Sequence, residues 1–568
     1  VMDLKIGWGN SVYDTYFYGD ISSLELNIDN NQIAHWPISA GLDYNLIFDH
    51  SGNQNHGTIN GATWSTDIPT SLTYIPDDNF EQALIDLGYD DTLDDYVLTE
   101  NISSVTSLAV GDKDISNLTG IEDFTSLTSL DCRFNDLTSL DLTGLTDLTY
   151  LDFATNQLTS IDLSNNTSLE YLYAQNNQLT SMDLGSMSSL IHIYYNYNQL
   201  PSLDLSANTG LVRIECTDNG ITGIDVSGLT ALEELTCFQN ELTSLDVSTN
   251  NALTLLDCKS NQLTSLDVST NSNLTQLICT NNSLTVLDIS GLSSLSTLRC
   301  DGNQLTSIDA TNNASLQILD ASANNIVSAS IHPDVPEVRL QNNSISQIDL
   351  SNNTGLRNLS LEGNSLTSLD VSSNVLLTEL RCSNNQLLLL DVSTNTALTE
   401  LVCGNNQLTA LDVSNNTGLN QLLCNNNMIT SLDVNVNTEL NKLECEVNQL
   451  TSLDLSSLPN LNRLNCQDNQ LVELDVSQNS ELNELECQGN ELTYLNIRNG
   501  VTDGFNLFRA YDNSLTCIET LDPAYATANW TYENNNIDDG VTFEVLCGAQ
   551  ARTNWHVSTA GSVPPSGH

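Results

Sequence analysis

Cysteine is the residue whose spacing first suggests chemistry, because thiolates bind metals and pair as disulfides. Eleven of the 14 cysteines recur every 21 residues in two runs: Cys216, Cys237, Cys258, Cys279, Cys300, Cys382, Cys403, Cys424, Cys445, Cys466 and Cys487. Phe153, Ala174, Tyr195, Ala321 and Leu361 occupy the same place in the period, which a thiolate metal site would not tolerate. The column therefore predicts small apolar side chains that fill a narrow interior.

Aspartate forms a second column with the same period. Its members are Asp141, Asp162, Asp183, Asp204, Asp225, Asp246, Asp267, Asp288, Asp309, Asp349, Asp370, Asp391, Asp412, Asp433, Asp454 and Asp475. Carboxylates stacked about 4.8 Å apart repel by roughly 1 kcal/mol per neighbouring pair at high dielectric. We expect flanking Ser and Thr hydroxyls or backbone amides to offset this repulsion, and the alternative is a divalent cation, such as Ca²⁺, that bridges the column.

Aromatic side chains gather within a few neighbouring periods. Tyr150, Tyr171, Tyr173, His192 and Tyr194 take positions that are predicted to point outward. Flat rings with hydroxyl groups suit sugar rings or a hot spot for protein binding, and the alternative is cross-strand packing that stabilises the sheet. The sequence therefore predicts a ligand-binding site at these five residues.

Three arginines fall on the same predicted face, which is otherwise acidic: Arg299, Arg339 and Arg381. We expect them to pair with Asp320, Glu362 or Glu379 rather than to form an anion site.

A short acidic run, Asp90-Asp91-Thr92-Leu93-Asp94-Asp95, resembles the start of an EF-hand calcium loop. It departs from that loop because Asp95 replaces the turn glycine and no clear bidentate glutamate closes the run. Asp90 and Asp94 are the candidate Ca²⁺ ligands, and the alternative is a polar loop without metal.

Composition excludes several classes of function. The formal net charge of −58 repels nucleic-acid phosphates and anionic lipid headgroups, so we expect no nucleic-acid partner. No apolar run is long enough to span a bilayer, which predicts no direct membrane insertion. The sequence carries no phosphate-binding glycine loop, no catalytic pairing of His with Cys and no metal spacing among its seven histidines, and we predict that it is not an enzyme.

The repeat itself must position these columns. Leu398 to Gln407 reads Leu-Thr-Glu-Leu-Val-Cys-Gly-Asn-Asn-Gln, and Leu408 to Gly418 repeats its pattern of leucines and asparagines. Alternation at Leu-x-Cys is typical of a strand with one buried face, and the Asn positions are expected to satisfy backbone groups at the turns. Residues from about Val105 to Cys517 closely resemble leucine-rich repeats, which implies a mainly β solenoid, an arc of about 20 coils with a helical N-terminal cap and a C-terminal cap.

The ends of the array predict two caps. Residues 76–87 place Phe80, Ala83, Leu84 and Leu87 on one face of a helix, after an Asp or Asn N-cap. Beyond the repeats, Cys517 and Cys547 lie outside the 21-residue column, and the simplest interpretation is a cap closed by one disulfide. Both caps resemble those of secreted leucine-rich repeat proteins of Bacteroidetes-type bacteria, and this resemblance implies export to the cell surface or medium.

The first 70 residues differ in sequence pattern from the repeats that follow them. Ile6-Gly7-Trp8-Gly9 and residues 50–64 resemble pieces of a concanavalin-like or laminin-G-like jelly roll. We therefore expect a partial domain and linker at 1–72, an N-terminal cap at 73–104, a solenoid at 105–516, a C-terminal cap at 517–548 and a tail at 549–568, all within a larger protein.

These features together predict a non-enzymatic extracellular binding or adhesion protein. Its concave strand face would bind a protein or a polysaccharide. Two alternatives stay open: a carbohydrate-binding accessory region of a larger glycan-degrading protein, and a structural component of a surface layer or filament.

Overall fold

The computed structural model describes residues 71–500 and 502–548, together with the backbone of four short strands nearer the N-terminus. The chain forms two compact units, unit 1 (residues 1–253) and unit 2 (residues 254–568). The division falls inside the repeat array, so the predicted cap and solenoid boundaries stay predictions.

One three-residue strand per coil forms the main sheet, which is parallel and in register within each unit. Its middle residue points inward and is at most 2 % exposed, while the first and third residues point outward. In unit 1 the described strands are Ser107–Ala109, Ser129–Asp131, Tyr150–Asp152, Tyr171–Tyr173, His192–Tyr194, Arg213–Glu215 and Glu234–Thr236. In unit 2 they are Leu255–Asp257, Gln276–Ile278, Thr297–Arg299, Ile318–Asp320, Glu337–Arg339, Asn358–Ser360, Glu379–Arg381, Glu400–Val402, Gln421–Leu423, Lys442–Glu444, Arg463–Asn465, Glu484–Glu486 and Leu507–Arg509. The predicted β solenoid is confirmed.

Buried asparagines tie each coil to its neighbours, as the repeat predicts. In unit 2, Asn385 accepts a hydrogen bond from the Leu366 N–H at 2.9 Å and donates to the Leu361 and Cys382 carbonyls at 2.9 and 3.1 Å. A second asparagine column lies at the far end of most coils, where the fully buried Asn395 donates to the carbonyls of Val371 and Asn374. These amides satisfy backbone groups that the turns would otherwise leave without partners.

The residue two positions after the cysteine column adopts a left-handed backbone in almost every coil. Asn384 and Asn405 have φ of 56° and 54°, values that asparagine tolerates. Thr155 and Val447 take nearly the same φ, 56° and 54°, although β-branched residues disfavour it. Closure of the coil therefore overrides local preference at this position.

The irregular coil between Ala321 and Leu340 keeps the register of the main sheet, since Ile318–Asp320 pairs directly with Glu337–Arg339. Its return segment forms a strand, Ser328–Ile331, that pairs in parallel with Ser307–Ala310. A similar sheet near the C-terminus comprises Glu473–Asp475, Tyr494–Asn496, Cys517–Glu519 and Thr542–Glu544.

The N-terminal cap contains helix α1 (Asp78–Asp86), a short helix α2 (Thr99–Ile102), and an antiparallel pair, Leu72–Tyr74 with Tyr96–Leu98. A 3₁₀ turn, Ile121–Asp123, follows in the first coils. Phe80 and Leu84 are fully buried as predicted, but Leu87 is 46 % exposed. The prediction for Leu87 is wrong because the helix ends before it and Leu87 forms the C-cap.

Asp77 caps α1 and joins it to the solenoid. Its Oδ1 accepts hydrogen bonds from the N–H groups of Asn79 and Phe80, and its Oδ2 accepts from Ser116 and Asn117. Burial alone would raise the pKa of Asp77, but these hydrogen bonds outweigh burial and lower the pKa. The helix is thereby fixed over the first coils.

The C-terminal cap contains a 3₁₀ turn, Thr502–Gly504, and helix α3 (Pro523–Asn529), which is capped by Asp522. A disulfide joins Cys517 to Cys547, with their Cα atoms 5.8 Å apart. Trp530 is 6 % exposed and stacks on Phe508 at a centroid distance of 4.4 Å, so an aromatic core covers the last coil.

Four strands near the N-terminus pair as two antiparallel hairpins: Ser23–Ile28 with Asn31–Pro37, and Leu46–Ile47 with Gly57–Thr58. Most of the residues that carry the laminin-G-like resemblance lie outside the described residues. That resemblance stays a prediction.

Candidate binding face

The five predicted aromatic residues come together on the outward side of the main sheet in unit 1, and we call them the aromatic cluster. The rings of Tyr173 and Tyr194 stack with centroids 4.6 Å apart and planes inclined by 8°. Tyr150 lies 5.3 Å from Tyr173, and Tyr171 meets His192 edge to face at 5.2 Å. The in-register strands produce this contact because each places its outward residues beside those of the next coil.

An arginine and two carboxylates border the aromatic cluster on one side. The Arg213 guanidinium carbon lies 5.4 Å from the centroid of the Tyr194 ring, a cation–π contact. Its nitrogens lie 2.7 Å from a Glu215 oxygen and 2.9 Å from a Glu234 oxygen. These ion pairs hold the guanidinium against the ring.

Two aspartates border the other side. The Arg133 guanidinium lies 3.5 Å from Asp131 and 3.6 Å from Asp152. Asp152 is only 2 % exposed, and burial raises its pKa. Because one arginine pairs with two aspartates, this edge of the cluster has more carboxylates than basic groups.

The third strand position lies on the outward side of the main sheet, and alternation along the strand would leave it exposed, yet several of its members are buried. Asp152, Asp257, Asp320, Val402, Asn465 and Glu486 are each at most 9 % exposed. Lys259 covers one of them, with its Nζ 3.0 Å from an Asp257 oxygen.

Three tyrosine hydroxyls of the cluster, those of Tyr150, Tyr173 and Tyr194, stay protonated at physiological pH. Burial, with the carboxylates nearby, raises the pKa of Tyr150 to about 12 and also raises the pKa values of Tyr173 and Tyr194. The hydroxyls of Tyr173 and Tyr194 can therefore both donate and accept a hydrogen bond with a ligand.

In unit 2 the main sheet instead carries interleaved ion pairs. Arg463 contacts Glu444, Glu484 and Glu486 at 3.2, 3.0 and 4.0 Å. Lys442 lies 3.1 Å from Glu444, and Arg509 lies 2.9 Å from Glu486. These three basic groups are already engaged by carboxylates of the same chain.

The predicted pairing of the three arginines holds for two of them. Arg381 pairs with Glu379 and Glu400, and Arg339 pairs with Glu337 and, at 3.6 Å, with Asp320. Arg299 forms no ion pair with any residue that the structure describes.

Glu446 lies beside this network, just after its strand. Burial and the nearby carboxylates of Glu444 and Glu486 raise the pKa of Glu446 from 4.5 to about 7, while Arg463 acts in the opposite direction. One of its oxygens is buried without a hydrogen-bond partner among the described residues. The sequence alone did not indicate this group.

The aspartate column has the local partners that its spacing predicts. Asp162 accepts a hydrogen bond from the Ser164 N–H at 2.9 Å, and the bonds from Ser164 lower the pKa of Asp162. The same bond recurs at Asp391 and Asp412. Backbone N–H groups thus stabilise these carboxylates in their charged form.

In the predicted calcium loop, Asp95 stands where an EF-hand has its turn glycine. It nevertheless adopts a left-handed backbone, with φ of 70°. The oxygens of this loop are partly engaged, because Asp90 accepts from the Asp91 N–H and Asp94 accepts from the Tyr96 N–H. Among the described residues, no three His, Cys, Asp or Glu side chains group as metal ligands do. Calcium binding by Asp90 and Asp94 stays a prediction.

All cysteines of the column are free and buried. Burial raises the pKa of Cys216 to about 12 and places the pKa of Cys445 well above its ordinary value. Such thiols stay protonated and act as apolar filling. Tyr195 replaces a cysteine in this column, with the small Ala174 next to it, and both are fully buried.

Two comparisons use sequence. No protein-family model matches the chain. A segment of 70 residues is 36 % identical to internalin J of Listeria monocytogenes, and this segment spans 12 % of the present chain and 8 % of internalin J. The match is thus confined to a small part of that protein.

Solved structures match over most of the chain. The functional domain of internalin J from Listeria monocytogenes, which includes a cysteine ladder, is 31 % identical over 76 % of this chain and 84 % of that one, with a TM-score of 0.46. YopM from Yersinia enterocolitica is 22 % identical over 78 % and 91 %, with a TM-score of 0.56. The Arabidopsis receptor kinase HAESA, solved with the peptide hormone IDA and the co-receptor SERK1, is 19 % identical over 78 % and 91 %, with a TM-score of 0.54.

No helix in the described part of the chain has both the length and the apolar character that a membrane crossing needs.

Proposed function

Because the chain is a leucine-rich repeat protein, we propose that it binds another protein through the aromatic cluster on the main sheet of unit 1. The observation that carries this proposal is the contact among the five outward-facing aromatic side chains. Large aromatic side chains supply much of the binding energy at protein interfaces.

The scaffold does not require these aromatic residues. The same outward positions hold Gln276 and Ile278 in one coil of unit 2 and Asn358 and Ser360 in another, with the same strand pairing. Variation limited to outward side chains changes what a partner meets and leaves the coil intact.

We further propose that binding takes place outside the cell or at its surface and involves no catalysis. Two structural neighbours support this proposal by analogy of fold. They are the functional domain of internalin J and the receptor kinase that was solved with a peptide hormone. The resemblance of both caps to secreted bacterial repeat proteins points the same way.

A polysaccharide is the second candidate ligand for the aromatic cluster. Tyr150 and Tyr171 are partly exposed and tilted by 38° to each other, so they present ring surface on which a sugar could stack. Arrays of purified extracellular proteins and of glycans would decide between the two classes of ligand.

The test replaces Tyr171, Tyr173 and Tyr194 together with Ser. We expect circular dichroism to stay almost unchanged and binding to the partner found on the arrays to fall at least tenfold, because hot-spot residues each contribute about 2 kcal/mol. Tyr197→Ser is the matched control, since Tyr197 is exposed at a turn of the same unit and Ser260 occupies the equivalent turn position in unit 2.

Two outcomes would contradict the proposal. If the triple variant unfolds, the tyrosines are packing residues. If it binds as the wild type does, the binding site lies elsewhere.

A further inference from the structure

A column of asparagines borders the main sheet in the last coils of unit 2. The residue directly before the strand is Asn420, Asn441, Asn462, Asn483 and Asn506 in five consecutive coils. In earlier coils of the same unit this position is often a threonine or serine, as at Thr275, Ser296, Thr378 and Thr399.

Threonine is sufficient for the fold at this position. The Thr399 hydroxyl donates to the Thr378 carbonyl at 3.1 Å, and the Thr275 hydroxyl donates to the Thr254 carbonyl at 3.0 Å. The backbone ladder is the same with either residue, since Asn420 N–H donates to Thr399 O and Asn441 N–H donates to Asn420 O. The backbone ladder therefore does not require asparagine at this position.

The asparagine side chains reach in the opposite direction along the sheet, toward the following coil. Asn420 Nδ2 donates to the Glu439 carbonyl at 3.1 Å, Asn441 Nδ2 to the Asn460 carbonyl at 3.2 Å, and Asn462 Nδ2 to the Glu481 carbonyl at 3.1 Å. These bonds hold three amides in parallel, one per coil. In the part of the chain that the structure describes, no protein group donates to their Oδ1 atoms.

The three amides line an open groove of about 380 Å³ together with Glu439, Asn460 and Glu481. Every lining side chain is an amide or a carboxylate. The amides supply both donors and acceptors, and the two carboxylates, one on each side of Asn460, supply acceptors.

The geometry points to a second ligand site, separate from the aromatic cluster, that takes an extended, neutral, hydroxyl-rich chain: a β-1,4-linked polysaccharide. Vicinal hydroxyls match a surface that both donates and accepts hydrogen bonds. Rings in an extended β-1,4-linked chain follow one another at roughly the strand spacing of about 4.8 Å, and each ring is turned over relative to the last. Hydroxyls from alternating edges of successive rings would therefore meet successive amides.

The charges of the groove restrict the class of ligand further. Glu439 and Glu481 disfavour a polyanionic glycan, and the groove contains no arginine or lysine to neutralise one. A basic peptide is the competing class, because two carboxylates also attract cations. The regular amides between them favour the polysaccharide, since a peptide side chain needs no such array.

The test is the triple variant Asn420→Thr, Asn441→Thr and Asn462→Thr, in which each new residue matches Thr378 and Thr399. Asn506→Thr is the matched control, since Asn506 belongs to the column but does not line the groove. The probes are cellohexaose, chitohexaose, mannohexaose, the α-linked maltohexaose and hexalysine, each titrated against the full chain by calorimetry.

We expect at least one β-linked hexasaccharide to bind, maltohexaose to bind more weakly, and the triple variant to lose roughly tenfold or more in affinity through the missing hydrogen bonds. Asn506→Thr should bind like the wild type. The site is disproved if no β-linked hexasaccharide binds, if hexalysine alone binds, or if the triple variant keeps its affinity. The tyrosines of unit 1 are unchanged in the triple variant, so a loss of glycan affinity in that variant assigns the binding to the groove and not to the aromatic cluster.

Discussion

The outward face of the main sheet differs sharply between the two units, although the inward face is the same. In unit 1 the aromatic cluster leaves ring edges and protonated hydroxyls available to a partner. In unit 2 Arg463 and Arg509 lie among glutamates of the same chain, which already satisfy them. Partner recognition can therefore vary along a repeat array without any change in the interactions that close each coil.

The largest expected effect tests whether both units share one scaffold. Asn177→Ala in unit 1 and Asn385→Ala in unit 2 each remove an acceptor for a buried N–H and a donor to two carbonyls. Each variant should lose about 3 kcal/mol in free energy of unfolding, because buried polar groups are left without partners. Urea denaturation followed by circular dichroism measures both losses.

The neighbouring exposed residues, Gln178 and Gln386, serve as controls. Their replacement by Ala should change stability by less than about 0.5 kcal/mol. A large difference between the Asn177 and Asn385 variants would show that the two units are not equivalent inside.

A smaller effect, in the opposite direction, is expected at the left-handed turn. Thr155→Asn in unit 1 and Val447→Asn in unit 2 place a tolerant residue at φ of 56° and 54°. Each should gain about 1 kcal/mol by relieving backbone strain, and thermal unfolding should show a higher Tm for both. Asn405→Val introduces the strain in a coil that lacks it, and an unchanged Tm for this control would contradict the explanation.

The next prediction concerns the ion-paired face alone. Since the pKa of Glu446 is about 7 in the folded chain and 4.5 is its ordinary value, the folded chain binds more protons between these two values. The free energy of unfolding therefore falls as pH rises through this window, and Glu446→Gln should remove that fall. The variant should gain Tm over the wild type at about pH 8 and lose the gain near pH 4.

Asp162→Asn in unit 1 should change the pH dependence of the free energy of unfolding in the opposite direction to Glu446→Gln. Hydrogen bonds from Ser164 lower the pKa of Asp162 below its ordinary value of 3.8, so its contribution to stability is present above that pH and is lost in stronger acid. If both variants shift the pH profile in the same direction, the assignment of charges is wrong.

The smallest expected difference separates the two interpretations of the aspartate column. With a net charge of −58, modest sodium chloride should raise Tm by screening repulsion. Calcium at matched ionic strength should raise Tm equally, because serine N–H groups already engage the aspartates. A much larger rise with calcium would favour bridging cations, or the loop of Asp90 and Asp94, and Asp90→Asn with Asp94→Asn would distinguish these.

The sequence was informative wherever the repeat itself determines a position. The 21-residue period predicts the inward leucines, the asparagine columns and the meeting of Tyr171, Tyr173 and Tyr194. It did not predict the left-handed turn, since Phe134 and Tyr197 do not look like turn residues. The requirement to close a coil is a property of the whole repeat, so it overrides the preference of a single residue.

The sequence also did not predict which outward-facing residues are buried. Alternation along a strand tells which side a residue faces, but the exposure of Asp152 depends on the lengths of side chains in adjacent coils. The raised pKa of Glu446 has the same origin, because burial by its surroundings and the carboxylate of Glu486 from another coil raise it. The groove beside Asn441 depends on the direction in which an amide turns, which composition does not reveal.

The buried cysteine column also provides native probes of local unfolding. A thiol such as Cys403, whose pKa lies well above its ordinary value, reacts with an alkylating reagent only when its coil exposes it to water. Pulsed labelling followed by mass spectrometry would therefore date the opening of the 12 coils that carry a free cysteine, each separately. The chain thus supplies the means to decide whether a linear array unravels from its ends, opens in the middle, or yields all at once.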